Sequence, residues 1–283
     1  MPEAVRMDGK EVARRVRAEV ADRAQALSQA GAAPGLSVVL VGDDPASHVY
    51  VGRKEKAALK AGIRGATHRL PESATTEEVL ALVQSLNDDP AVHGILVQLP
   101  LPRAVDTDLV LDAVHPSKDV DGFHPANAGL LASGLDAIAP CTPSGIMRIL
   151  EEYGVDCNGK DAVVIGRSRI VGRPMAALLT NANATVTLCH SRTHDLQGHA
   201  RRADILIVAV GRPEMVTADW VKPGAVVIDV GINRTDEGTL VGDVDYASVE
   251  PIAGHLTPVP GGVGPMTIAT LLSNTCLLAE RGG

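Results

Sequence analysis

Aliphatic runs of four to six residues alternate along the chain with stretches of helical spacing. Val12, Val16, Val20 and Leu27 share one face of a helix that ends near Gly31, with Asp8 and Glu11 as a capping pair ahead of it. The apolar run over 36–41 predicts a strand. Gly42-Asp43-Asp44-Pro45 then turns the chain into a second helix, with Asp44 as cap and Pro45 in the first turn. A strand over 66–70, a helix opened by Thr75 and Glu78, and a strand over 94–98 follow. This β-α-β-α-β order favours a parallel sheet covered by helices. Over 115–143 the pattern loosens into proline, glycine and polar residues, which predicts an interdomain segment. Strands return at 162–165, 185–188, 205–210 and 226–230, with helices between them. A last helix, from about Met266 to Glu280, comes after that sheet is complete and is predicted to pack back on the first domain.

Composition narrows the class. The chain has 283 residues, of which 45% are apolar, enough for two domains that each bury a core. With one Trp, three Tyr and one Phe, those cores must be aliphatic. A net charge of −8 argues against a nucleic-acid surface. Four widely spaced cysteines form no C-x-x-C and predict reduced thiols in a cytoplasmic protein. The N-terminus carries no signal-peptide core, and no apolar run reaches membrane-spanning length.

The stretch over 162–179 organises the second half. A buried strand, Ala162-Val163-Val164-Ile165, leads to Gly166, then Gly172, then a helix with Pro174 in its first turn. Strand, glycine loop and helix start point backbone N–H groups at a phosphate. The spacing is not G-x-G-x-x-G, because Ser168 stands where a second glycine would sit, and a plain strand-to-helix turn is the competing reading. After the next strand comes Cys189-His190-Ser191-Arg192-Thr193, with no carboxylate until Asp195. An acid at that place binds a ribose 2′-hydroxyl and an arginine suits a 2′-phosphate, so Arg192, with Arg167, favours NADP over NAD.

In the first half Tyr50 and Lys54 lie one helical turn apart, so their side chains share a face. Such pairs are often surface decoration. Their helix, however, follows the carboxyl end of a strand, where ligands of open α/β sheets gather, and Gln98 ends another strand of that sheet. The loop Lys118-Asp119-Val120-Asp121-Gly122-Phe123 could carry an acid for substrate binding, or be an ordinary turn. Pro258-Val259-Pro260-Gly261-Gly262-Val263-Gly264-Pro265 reads as a rigid path that a ligand can touch, or as a corner before the last helix. His190 and His194 lack partners for a metal site, and no metal is expected.

These motifs together resemble the bifunctional methylenetetrahydrofolate dehydrogenase/methenyltetrahydrofolate cyclohydrolase family over nearly the full length. The resemblance rests on residues 50–54, 94–102, 118–123, 140–143, 166–174 and 260–267. It implies an α/β chain of two domains. Residues 1–140 plus 262–283 would form a folate-binding catalytic domain, and 141–261 a Rossmann-like NADP-binding domain. It implies oxidation of 5,10-methylenetetrahydrofolate with NADP, then hydrolysis of the methenyl product to 10-formyltetrahydrofolate, as for purine biosynthesis. Lys54 would be the acid/base group, with Tyr50 against the folate ring, Gln98 near Lys54 and Asp121 on the pterin edge. Pro260, Gly261 and Gly262 would line the folate site. Gly166, Arg167, Ser168, Ile170, Ser191, Arg192 and Ile232 would bind the cofactor. A cytoplasmic homodimer joined through the cofactor domains is also implied. Two other readings are a shikimate dehydrogenase-type enzyme, whose Asn-Leu-Thr lysine motif is missing, and a nucleotide-sensing protein without turnover, against which the trio Tyr50, Lys54 and Gln98 speaks.

Overall fold

A computed structural model describes residues 3–282. In chain order the first half contains β1 (Val5–Arg6), α1 (Gly9–Gln29), β2 (Gly35–Val41), α2 (Pro45–Lys60), β3 (Arg64–Leu70), α3 (Thr76–Asp88), β4 (Gly94–Val97), α4 (Thr107–Ala113) and α5 (Pro125–Ala132). The second half contains α6 (Cys141–Glu152), β5 (Asp161–Ile165), α7 (Gly172–Asn181), β6 (Thr185–Cys189), α8 (Leu196–Ala200), β7 (Ile205–Val208), β8 (Val226–Asp229), β9 (Asn233–Arg234), β10 (Leu240–Val241), α9 (Tyr246–Val249), β11 (His255–Leu256) and α10 (Val263–Glu280).

These elements fold into two compact units. One comprises Arg15–Cys141 and the chain from Ile268 onward. Its parallel sheet has the order β3-β2-β4, so the strand order reverses at β2. An isolated parallel bridge between Ile95 and Asp119 adds a fourth short ribbon beyond β4. The aliphatic core includes Val39, Val79, Val83, Ile95, Val97 and Val110. Burying each such side chain contributes about 1.5–3 kcal/mol. Local chemistry sets the helix starts. The Asp44 carboxylate accepts from Ser47 N, with Pro45 in the first turn of α2, and Thr75 and Glu78 form a complete capping box on α3.

The other unit runs up to Arg14 and again over Thr142–Thr267. Its six-stranded parallel sheet has the order β1-β11-β8-β7-β5-β6, with the reversal at β5. β5 and β7 are hydrophobic and buried almost throughout, as strands covered on both faces must be.

Three expectations are corrected. Residues 115–143 are no loose connector, because all but the last two belong to the first unit and they contain α5. His124 caps that helix and Pro125 opens it, so the proline and polar residues here mark a helix start. The N-terminal segment, assigned above with residues 1–140, instead adds β1 to the other unit's sheet. There Val5 N–H donates to Gly254 O and Met7 N–H to Leu256 O. The last helix starts earlier than expected, at Val263. It belongs to the cofactor-side unit through Thr267 and to the first unit from Ile268.

Candidate active site

In the first unit three polar groups come from the carboxyl ends of parallel strands, two of them on either side of the reversal at β2. Lys54 rides on α2, which follows β2, and Gln98 follows β4 directly. The Lys54 ammonium donates to Gln98 Oε1 at 2.9 Å, and Gln98 Nε2 donates to Leu99 O at 2.6 Å. Asp121 follows the ribbon at Asp119. Burial pushes its carboxyl up to about 6, opposed by the charge of Lys54 and reinforced by Asp119. The structure therefore brings Lys54, Gln98 and Asp121 into one group. Tyr50, one turn before Lys54, is 41% exposed and presents its ring at the surface. Lys56, on another face of α2, is exposed, as its spacing predicts.

The Asp121 loop is held by residues of its own motif and by partners elsewhere in the chain. Buried Lys118 donates to the carbonyls of Leu86, at 3.3 Å, and Asp89, at 2.7 Å, capping the end of α3. Buried Asp119 accepts from Phe123 N, His124 N and Asn127 Nδ2. Asn274 of α10 donates to Val120 O at 3.0 Å and Ala139 O at 3.2 Å. Gly122 has φ +69°, and a Cβ there would lie 2.6 Å from Ile138 O, so only glycine closes this turn. The Cys141 thiol donates to Asp121 Oδ1 at 3.7 Å, and burial pushes that thiol well up, so it stays protonated as a donor. Cys141 was legible as one of four cysteines and as part of the motif over 140–143, with no role attached to it. Asn274 carried no local signal.

In the other unit the glycine loop lies at the carboxyl end of β5, where the strand order reverses. This is where open α/β sheets bind dinucleotides. Gly166 has φ +123°, and a Cβ on it would sit 2.1 Å from Ala209 O. A Cβ on Gly172 would sit 1.9 Å from Gly166 O. Both positions thus require glycine for close backbone approach. Ser168 Oγ accepts from Val171 N at 3.1 Å and Gly172 N at 3.4 Å, which closes the turn into α7. Arg167 and Ser168 are exposed, and Ile170 and Ile232 are exposed apolar residues, 41% and 52%. Ser191 and Arg192 project from a turn after β6 that is closed by His190 N–H to Thr193 Oγ1 and Thr193 N–H to His190 O. A glycine cradle that side chains would fill, exposed cations and exposed apolar residues together fit a phosphorylated dinucleotide.

Pro260, Gly261 and Gly262 belong to this second unit, where they pack on the start of α1. Lys10 N–H donates to Gly261 O at 3.1 Å, and a Cβ on Gly9 would lie 1.8 Å from Gly262 O. Among the described residues no group of three or more His, Cys, Asp or Glu could hold a metal ion, and no helix is long and apolar enough to cross a membrane.

Comparison with known proteins adds an independent line. The profile of the tetrahydrofolate dehydrogenase/cyclohydrolase catalytic domain matches residues 7–121, and that of the family's NAD(P)-binding domain matches 140–282. The bifunctional protein FolD of Acidiphilium cryptum is 61% identical over 96% of this chain and 97% of its own length. Among solved structures, the bifunctional FolD methylenetetrahydrofolate dehydrogenase/cyclohydrolase of Campylobacter jejuni superposes with a TM-score of 0.97. It is 50% identical and covers 98% of this chain and 99% of its own. The Trypanosoma brucei methylenetetrahydrofolate dehydrogenase-cyclohydrolase, complexed with NADP and an inhibitor, gives a TM-score of 0.94 at 41% identity, with 99% of each chain covered.

Proposed function

The chain belongs to the tetrahydrofolate dehydrogenase/cyclohydrolase family, and from that premise we infer that it is a bifunctional one-carbon enzyme. It oxidises 5,10-methylenetetrahydrofolate to the 5,10-methenyl form with NADP, then hydrolyses the methenyl form to 10-formyltetrahydrofolate. The observation that carries the reading is the convergence of Lys54, Gln98 and Asp121 at strand ends of one sheet.

When bound, NADP supplies the hydride acceptor. Gly166, Arg167 and Ser168 would hold its phosphates, Ser191 and Arg192 the 2′-phosphate, and Ile170 and Ile232 its apolar ring faces. Loss of hydride from the methylene carbon leaves a cation and needs no proton transfer, so in this step the protein's task is alignment. Tyr50 offers an exposed aromatic face to the folate, and the Asp121 carboxylate accepts N–H groups of the pterin edge. The family resemblance assigns Pro260, Gly261 and Gly262 to folate binding as well.

Hydration makes a different demand. Water adds to the methenyl carbon and loses a proton. A carbon–nitrogen bond of the bridge then breaks, and the departing ring nitrogen gains a proton. Lys54, as the ammonium, gives a proton at Nζ to the departing ring nitrogen and is restored by the proton that the added water loses, and Gln98 keeps Nζ in place through its amide oxygen.

On the same reading the enzyme is a cytoplasmic homodimer serving purine biosynthesis. Its four cysteines are free thiols, in keeping with a reducing compartment. β6 ends the six-stranded sheet and leaves a backbone edge for a second copy. Sedimentation would test the dimer. The activity is tested by following NADPH and methenyltetrahydrofolate formation from methylenetetrahydrofolate, then decay of the methenyl absorbance. Absence of both signals in folded protein overturns the assignment.

A further inference from the structure

Two carboxylates lie withdrawn from solvent in the cofactor-side unit. Asp229 ends β8 and is 3% exposed, while Asp243 follows β10 and is fully buried. Neither was singled out in the sequence, and neither belongs to the candidate group above. A buried carboxylate is costly unless donors surround it. Here the donors are almost all backbone. Asp243 Oδ2 accepts from Val210 N at 2.7 Å and Gly211 N at 3.0 Å, and its Oδ1 from Arg212 N at 2.9 Å and Asn233 Nδ2 at 2.9 Å. Asp229 Oδ1 accepts from Gly231 N and from Asp243's own N, both at 2.9 Å, and its Oδ2 from Val244 N at 3.0 Å.

The surrounding backbone is shaped to admit these two side chains. A Cβ on Gly231 would fall 2.4 Å from Asp243 Oδ1, and one on Gly242 would fall 1.7 Å from Asp229 Oδ2. Three segments are thereby tied together: the loop after β7, the turn after β8 that carries Ile232, and the strand end at 242–244. The loop after β7 is no remote feature. Ala209, immediately before it, donates to Ile165 O and supplies the carbonyl that Gly166 must clear. The knot therefore sits against the glycine loop at the reversal of strand order, where a dinucleotide lies.

There is also a chemical consequence. Three successive N–H groups converging on one anion form the kind of nest that could bind a ligand phosphate. At 210–212 that nest is already filled by Asp243. The loop after β7 is thus closed to phosphate and serves as a fixed wall.

We propose that Asp243, braced by Asp229, is a positioning residue for NADP: it locks the loop 210–212 to the Ile232 turn and withholds that loop's N–H groups from the cofactor's phosphates. The proposal rests on the cofactor reading above.

Calorimetric titration of the full chain with NADP, and separately with a folate substrate analogue, tests it. Amide hydrogen exchange at 210–212 is measured in parallel without ligand. Asp243→Asn turns an amide N–H₂ toward backbone donors. It is expected to weaken NADP binding on the order of 10-fold or more, to speed exchange at 210–212 by a similar factor, and to leave folate binding within about threefold. The KM for NADP should rise while kcat at saturation changes little. Asn233→Ser removes only the side-chain donor to Asp243 Oδ1 and Gly242 O, and a smaller loss in the same direction is expected. It carries the test if Asp243→Asn does not fold. Wild-type NADP affinity and wild-type exchange in the folded variants overturn the proposal. Failure of the unmodified protein to bind NADP overturns the cofactor reading itself, and the proposal with it.

Discussion

Gln98 presents its amide oxygen, and not its nitrogen, to the Lys54 ammonium, because the nitrogen is committed to the Leu99 carbonyl. The two contacts, 2.9 and 2.6 Å, fix the amide's orientation. A flipped amide would face donor to donor at one end and acceptor to acceptor at the other. The lysine is therefore aimed by a backbone carbonyl acting through Gln98.

Lys54→Met should separate the two activities. Methionine keeps much of the stem's volume and removes the atom that moves protons. Loss of a general acid/base commonly costs about 10²–10⁴-fold, so cyclohydrolase activity should nearly vanish while part of the dehydrogenase activity survives. Both rates are measured on one preparation whose circular dichroism matches wild type. Robust cyclohydrolase activity would move the proton-transfer role to another group.

Asp121 should set an acid limb in the pH profile. Burial raises its carboxyl from 3.8 to about 6, so it is charged above that value and neutral below. If the carboxylate receives the pterin's N–H groups, kcat/KM for the folate should fall as pH drops through about 6. In Asp121→Asn that step should be missing and affinity low throughout, while NADP binding stays near wild type. A pH profile of the variant with the step intact would assign it elsewhere.

Arg192→Ala should raise the KM for NADP far more than that for NAD. Arg192 is exposed on the turn after β6, and a charge-assisted hydrogen bond contributes about 1.5–3 kcal/mol. Steady-state kinetics with both cofactors reads the difference. Equal efficiency of the unmodified enzyme with NADP and NAD would remove the basis for the assignment.

Asp229 should leave a signature in stability against pH. Burial raises its carboxyl from 3.8 to about 6, with Asp243 adding to the shift and backbone donors opposing it. Its folded-state value lies above the unfolded one, so the folded chain holds the extra proton between those values. The contribution to stability is fully present below about 4 and is lost as pH rises through about 6. Over that window Asp229 adds a negative slope of at most about 1.4 kcal/mol per pH unit to the unfolding free energy. Asp229→Asn should make the slope more positive by up to that amount, read from urea unfolding at several pH values. An unchanged slope would place the titration on another group.

Much of the architecture was open to reading in one dimension, because its causes are local. The capping box at Thr75 and Glu78, the Asp44-Pro45 start of α2 and the apolar run of β5 each act within a few residues. So does the contact between Gly172 and the Gly166 carbonyl, whereas the one that demands glycine at 166 comes from Ala209, just past β7. One helical turn between Tyr50 and Lys54 was enough to pair them, a strand end marked Gln98 and the turn after β6 marked Arg192, while a motif resemblance gave Asp121 its role.

Other features exist only once distant backbone is brought together. β1 and β11 are two residues long and have no period of their own. They are strands because Val5 and Arg6 meet His255 and Leu256 across the length of the chain. The supports of Asp121 come from residue 119 beside it and from residues 141 and 274 far along the chain. Asp229 and Asp243 look in the sequence like two solvated acids near turns. They become buried anchors because folding aims backbone N–H groups at them from 210–212, 231 and 243–244. A donor that every residue carries leaves no mark in a sequence, so only the fold could decide where those donors converge.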